Sequence, residues 1–131
     1  MSGTLLDLTC GRSLKEILAR AEESAYVRQV NGLDFNYCLS DDPGLKVAAK
    51  LSDPESGREM TVFTTEPAIQ AYSGQGLDTD GHGGALYGPF AGIALETQHY
   101  PDSPNHPEFP TTVLKAGDTF ASLTAYRFSV Q

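Results

Sequence analysis

Tryptophan is absent, cysteine occurs twice, and nine basic residues stand against seventeen acidic ones in this chain of 131 residues. With no Lys/Arg cluster and a formal charge of -8, nothing in the chain neutralises a run of phosphates, so nucleic acid is not expected as a partner. The apolar stretches fall far short of the ~20 residues of a membrane-spanning helix, so no membrane association is expected. The opening residues MSGTLLDLTCGRSLKE carry no basic segment followed by an apolar one, and the expected location is cytoplasmic. Cys10 and Cys38 lie far apart, outside any Cys-x-x-Cys pair and away from histidine, which reads as two buried thiols and no metal site. Also missing are a P-loop, a Gly-x-Ser-x-Gly elbow and a His-Glu-x-x-His helix, and with them the usual signatures of phosphoryl transfer, serine hydrolysis and metalloprotease chemistry. Asp78-Thr79-Asp80-Gly81-His82 begins like a calcium loop, but no bidentate Glu follows at the required offset.

Glycine and proline are plentiful, at thirteen and eight, and many fall between short alternating segments, the pattern of a β-rich chain with many turns. One helical segment stands out over 13–23, where Leu14, Ile17, Leu18 and Ala21 recur at helix spacing and Ser13 with Glu16 forms a capping box. Strands are expected at Tyr37-Cys38-Leu39, over 45–49, 60–64 and 69–72, with turns at Asp41-Asp42-Pro43-Gly44 and Asp53-Pro54-Glu55-Ser56-Gly57. Residues 73–88 read as a long Gly-rich loop. A buried strand is expected over 91–96, then an irregular segment punctuated by Pro101, Pro104, Pro107 and Pro110. Two strands close the chain, at 112–114 and 121–130, the second with Leu123, Ala125, Tyr126, Phe128 and Val130 as its apolar positions. Seven or eight strands are few for a closed sandwich or barrel, so a second layer is expected to come from elsewhere.

Among the acidic residues Glu96 is distinctive. It follows Ile93-Ala94-Leu95 and precedes Thr97, Gln98, His99 and Tyr100. A carboxylate at the end of an apolar strand, beside polar and aromatic neighbours, either anchors a structural network or projects into a cleft where it can transfer protons. The residue pattern by itself favours the structural role.

The surrounding motifs shift that balance. Leu95-Glu96-Thr97-Gln98, followed by His99-Tyr100-Pro101-Asp102-Ser103-Pro104-Asn105-His106-Pro107, resembles the signature of the aldose 1-epimerase (galactose mutarotase) family. Upstream, Gly32-Leu33-Asp34-Phe35-Asn36-Tyr37 is similar to a second family motif, and Thr64-Thr65-Glu66-Pro67-Ala68-Ile69-Gln70-Ala71-Tyr72 to a third. Three motifs in family order with family-like gaps identify the chain as resembling a C-terminal portion of such proteins, one domain over 1–131.

The resemblance implies a mainly β fold, a partial β-sandwich of the galactose mutarotase type with one short N-terminal helix. It implies interconversion of the α and β anomers of an aldose such as galactose or glucose. Glu96 matches the general base that takes the anomeric hydroxyl proton, and Asp34 and Gln70 match contacts to sugar hydroxyls. Ring opening and reclosure by acid and base needs no metal or organic cofactor. Six Tyr and six Phe are available to pack on a pyranose face in place of Trp. The family's acid is a histidine upstream of the matched region; His82, His99 and His106 do not fall at its positions, Phe35 stands where the second motif has His, and Ala68 where the third has Gly. Two further expectations follow: a complementing chain that supplies the acid, or a homodimer formed through open strand edges. The alternative to an enzyme is a noncatalytic carbohydrate-binding or regulatory module that keeps Asp34, Gln70 and Glu96 for hydroxyl recognition.

Overall fold

The structure is a computed structural model that describes residues 1–40 and 42–131, so Asp41 of the expected first turn lies outside the described residues. The chain is mainly β and divides into two compact units, one of residues 1–35 and 71–94, the other of residues 36–70 and 95–131.

In the first unit the expected single helix is two. Helix α1 spans Leu14–Ala19, and Ser13 caps it by accepting from the Glu16 N–H at 3.0 Å. The chain then narrows into a 3-10 turn at Ala21–Glu23 before α2, Ala25–Val30, capped by the Ser24 hydroxyl and closed by Asn31 in the left-handed conformation. Aromatic and β-branched residues (Tyr26, Val27, Val30) have modest helix propensity, which hid α2 in the sequence. Ile17 and Val27 are buried together with Leu5 and form the core of this unit. The segment expected to be a plain loop holds a small hairpin, β5 (Thr79–Asp80) with β6 (Leu86–Tyr87), joined through a 3-10 turn at His82–Gly84.

The second unit contains an antiparallel sheet of β2 (Lys46–Ser52), β3 (Arg58–Thr64) and β8 (Thr124–Val130), in the order β2-β3-β8. The β2–β3 turn forms as its sequence requires: Asp53 accepts from the Glu55 N–H and the Ser56 hydroxyl, at 3.1 and 2.6 Å. Gly57 follows at φ +69°, and a side chain there would run into the carbonyl of Gln131. A second sheet has the order β1-β4-β7, from β1 (Asp34–Cys38), β4 (Ala68–Tyr72) and β7 (Ala94–Gln98); each of these strands begins in one unit and ends in the other.

Four expectations are corrected. Residues 112–114 form no strand and are exposed. Strand β7 starts three residues later than expected and is half-buried, with Glu96 in its middle and not at its end. Cys10 and Cys38 are both free and exposed. The last strand starts at Thr124, three residues later than expected, and its apolar residues are exposed: Tyr126 is 52%, Phe128 74% and Val130 73% accessible. Of the expected apolar positions in this strand, Tyr126, Phe128 and Val130 share one face and Ala125 lies on the other.

Candidate functional site

The motif of Asp34 is built by backbone bonds within the first unit. Leu33 N–H donates to the Ser73 hydroxyl at 2.9 Å, and Ser73 N–H donates to the Leu33 carbonyl at 2.8 Å, with both residues buried. At the motif glycine Gly32 a Cβ would lie 2.7 Å from the Ser73 hydroxyl and the Gln75 side-chain amide oxygen, so any larger residue would displace these two side chains. Asp34 follows as the first residue of β1, half-buried, and its carbonyl accepts from the Tyr26 hydroxyl. Burial raises the Tyr26 pKa, and the negative charge of Asp34 adds to that effect. Tyr26 also packs edge-on against Phe35, at 5.3 Å between ring centres, so the aromatic residue standing in the place of the family's histidine has a packing role.

Gln70 and Glu96 belong to the second unit, on β4 and β7, which are neighbours in their sheet. Gln70 is half-buried and Glu96 exposed. Successive strand residues point to opposite faces. Thr97 turns toward β8, where its hydroxyl lies 2.7 Å from that of Thr124, and Thr124 in turn lies 3.1 Å from the Thr64 hydroxyl. Glu96 therefore projects from the face of β7 opposite this hydroxyl chain. The chain continues from Thr64, which accepts the Glu66 N–H at 3.1 Å. Glu66 is buried, 7% accessible, and one of its carboxylate oxygens lies 2.9 Å from His99 Nδ1.

Sequence reasoning missed this carboxylate–histidine pair, although both partners lie in recognised motifs: Glu66 two residues before Ala68, His99 three after Glu96. Its effect is to clamp the exit of the Glu96 strand to the turn that enters the Gln70 strand. His99 and Glu66 also line a cavity of about 600 Å³ with Lys46, Tyr100 and Phe109; neither Gln70 nor Glu96 lines it. The Lys46 ammonium is spent on carbonyls, donating to those of Asp42 at 2.7 Å and Thr65 at 3.2 Å. His106 stands apart from the clamp, stacked on Phe109 at 4.7 Å between ring centres, with Nδ1 3.0 Å from Glu108. A backbone N–H first, and His106 second, hold the Glu108 carboxyl below its ordinary pKa. His82 lies in the β5–β6 turn. Among the described residues, no group of three or more His, Cys, Asp or Glu side chains is arranged to hold a metal ion, and no helix is long and apolar enough to cross a membrane.

Known proteins resemble this arrangement over nearly its whole length. A crystal structure of a GalM/aldose epimerase homologue from C. elegans superposes with a TM-score of 0.79 at 26% identity, covering 98% of this chain and 38% of that one. Galactose mutarotase of Mus musculus is 40% identical over 103 residues, 77% of this chain and 30% of the relative. Aldose 1-epimerase of Escherichia coli (strain K12) is 38% identical over 132 residues, 98% of this chain and 37% of the relative. The chain thus spans roughly a third of the length of the relatives it matches. The family model for aldose 1-epimerase matches residues 2–127, a span that contains all three motifs, and the chain belongs to the aldose 1-epimerase family.

Proposed function

We propose that this chain takes part in aldose 1-epimerase chemistry, the interconversion of α and β anomers of galactose or glucose, with Glu96 as the general base and Asp34 and Gln70 contacting sugar hydroxyls. The observation that carries the reading is the exposed carboxylate of Glu96 on a strand whose other face is tied down by Thr97 and His99. A base must reach its proton while its own backbone stays fixed. Glu96 meets both conditions: it is open to an incoming hydroxyl, and the hydroxyl chain and the Glu66–His99 clamp hold β7 from behind.

In the reaction, the base takes the C1 hydroxyl proton, an acid protonates the ring oxygen, the C1–C2 bond rotates and the ring recloses on the other face. The residues matched to the family supply the base and the hydroxyl contacts. The acid belongs to the part of the family sequence with no counterpart here, so the reading includes a complementing chain that supplies it, while a homodimer would only cover open strand edges. We infer that residues 1–131 form a single domain corresponding to the C-terminal portion of the family. The two exposed thiols, Cys10 and Cys38, suit a reducing compartment such as the cytoplasm.

The test is a titration of isotopically labelled protein with D-galactose, followed by amide chemical shifts. Saturable shifts at β4 and β7 that weaken in Gln70→Ala are expected. Amides that do not respond to sugar at any concentration would remove the proposal.

A further inference from the structure

Two backbone bonds fix how β1 and β4 pair. At one end the Ser73 N–H donates to the Leu33 carbonyl at 2.8 Å, and at the other the Leu39 N–H donates to the Pro67 carbonyl at 2.8 Å. Numbers rise along one strand as they fall along the other, so the pair is antiparallel. The bonds are equally spaced on both strands, 33 to 39 against 73 to 67, which leaves no room for a bulge between them. Counting inward sets Asn36 directly opposite Gln70. Leu33 and Leu39 occupy hydrogen-bonded positions of the ladder, and Asn36 lies an odd number of residues from each. It therefore falls in a non-hydrogen-bonded position, where opposed side chains share a face and lie closest, with Cα atoms about 4.5 Å apart.

Asn36 belongs to the same motif as Asp34, yet the proposed reaction gives it no task. Its Nδ2 is buried and makes no hydrogen bond among the described residues. A buried donor without an acceptor is costly, so such an atom calls for a partner. Because Nδ2 is closed off from the surface, neither solvent nor a further stretch of protein packed on that surface reaches it. The acceptor has to come from a neighbouring side chain. Gln70, half-buried and directly opposite, carries an amide oxygen suited to the task.

We infer that Asn36 is a positioning residue for Gln70: its Nδ2–H donates to the Gln70 Oε1, reached by rotation of the two side chains with both strands in place. The bond selects one of the two orientations of the Gln70 amide. With its oxygen held by Asn36, Gln70 presents its nitrogen to the sugar and meets a hydroxyl oxygen as a donor, not as an acceptor. Fixing the amide in advance spares the cost of ordering it when sugar binds. The inference rests on the reading of Gln70 as a sugar contact, but the amide pair itself is measured without sugar.

The experiment is heteronuclear NMR of the full chain, with Asn36→Asp as a variant of the same shape that has no amide donor. Without sugar, the Asn36 side-chain amide protons should exchange with solvent more slowly than those of exposed Asn31 and show Overhauser contacts to the Gln70 side chain. Fast exchange or absent contacts would overturn the pairing, and this measurement needs no variant to fold. With D-galactose, Asn36→Asp and Gln70→Ala should each weaken binding about tenfold, the scale of one hydrogen bond. The double variant should bind no more weakly than Gln70→Ala alone, because Asn36 acts only through Gln70. A general structural defect would instead add to the loss of Gln70, so additive losses overturn the role, as does an Asn36→Asp chain that binds as tightly as the unaltered one. A chain that ignores galactose altogether removes the reading of Gln70 as a sugar contact, and the positioning role with it, while the sugar-free measurement still decides the amide pair.

Discussion

Glu96 and Thr97 are adjacent in β7 yet have opposite surroundings, the first exposed and the second bonded to Thr124. Alternation along a strand makes this division automatic, so the candidate base and the group that anchors its strand come as a pair. The Glu66–His99 clamp is the second anchor. Replacing His99 with Phe would leave a buried carboxylate without its imidazole partner, and the expected loss is about 1–3 kcal/mol of stability. Urea denaturation measures it; an unchanged midpoint would show that the clamp contributes nothing. Gln in place of His99 retains a donor and should recover part of the loss. The roles of Glu96, Asp34 and Gln70 were legible only as resemblance, because a strand carboxylate is ordinarily solvated or paired and nothing local separates that case from a catalytic one. The clamp was not legible, since Glu66 and His99 are 33 positions apart and meet only through the fold.

At the level of elements, turn and capping chemistry carried most of the information. Ser13 and Glu16 located α1, and the Asp53–Gly57 segment located the β2–β3 turn, because these residues satisfy specific backbone groups wherever they occur. Sequence failed where tertiary context decides. Helix α2 follows a one-residue cap and contains weak helix formers, and it is held by burial of Val27 against Ile17 and Leu5. Residues 112–114 have strand-forming side chains but find no partner strand among the described residues. The small core of the first unit makes a direct prediction: Ile17→Ala, at 1% accessibility, should cost about 2–5 kcal/mol and loosen both helices. Hydrogen exchange of the α1 and α2 amides reads the effect locally. Loss of protection in α1 with α2 unaffected would show that the two helices do not share a core.

On the scale of the whole molecule, the chain covers roughly a third of its relatives, and its exposed apolar residues concentrate in its last nineteen positions, from Val113 to Val130 together with Leu114, Phe120 and Leu123. Exposed apolar surface of this extent marks a place where other protein surface packs. Acid and base act together in mutarotation, and a missing general acid typically costs ~10²- to 10⁴-fold in rate. The chain alone should therefore accelerate anomer exchange weakly. Polarimetry of freshly dissolved α-D-galactose with the purified chain, beside its Glu96→Gln variant, tests the central claim most directly. The account predicts a small acceleration over buffer that the substitution abolishes; an acceleration that the variant retains in full would contradict it.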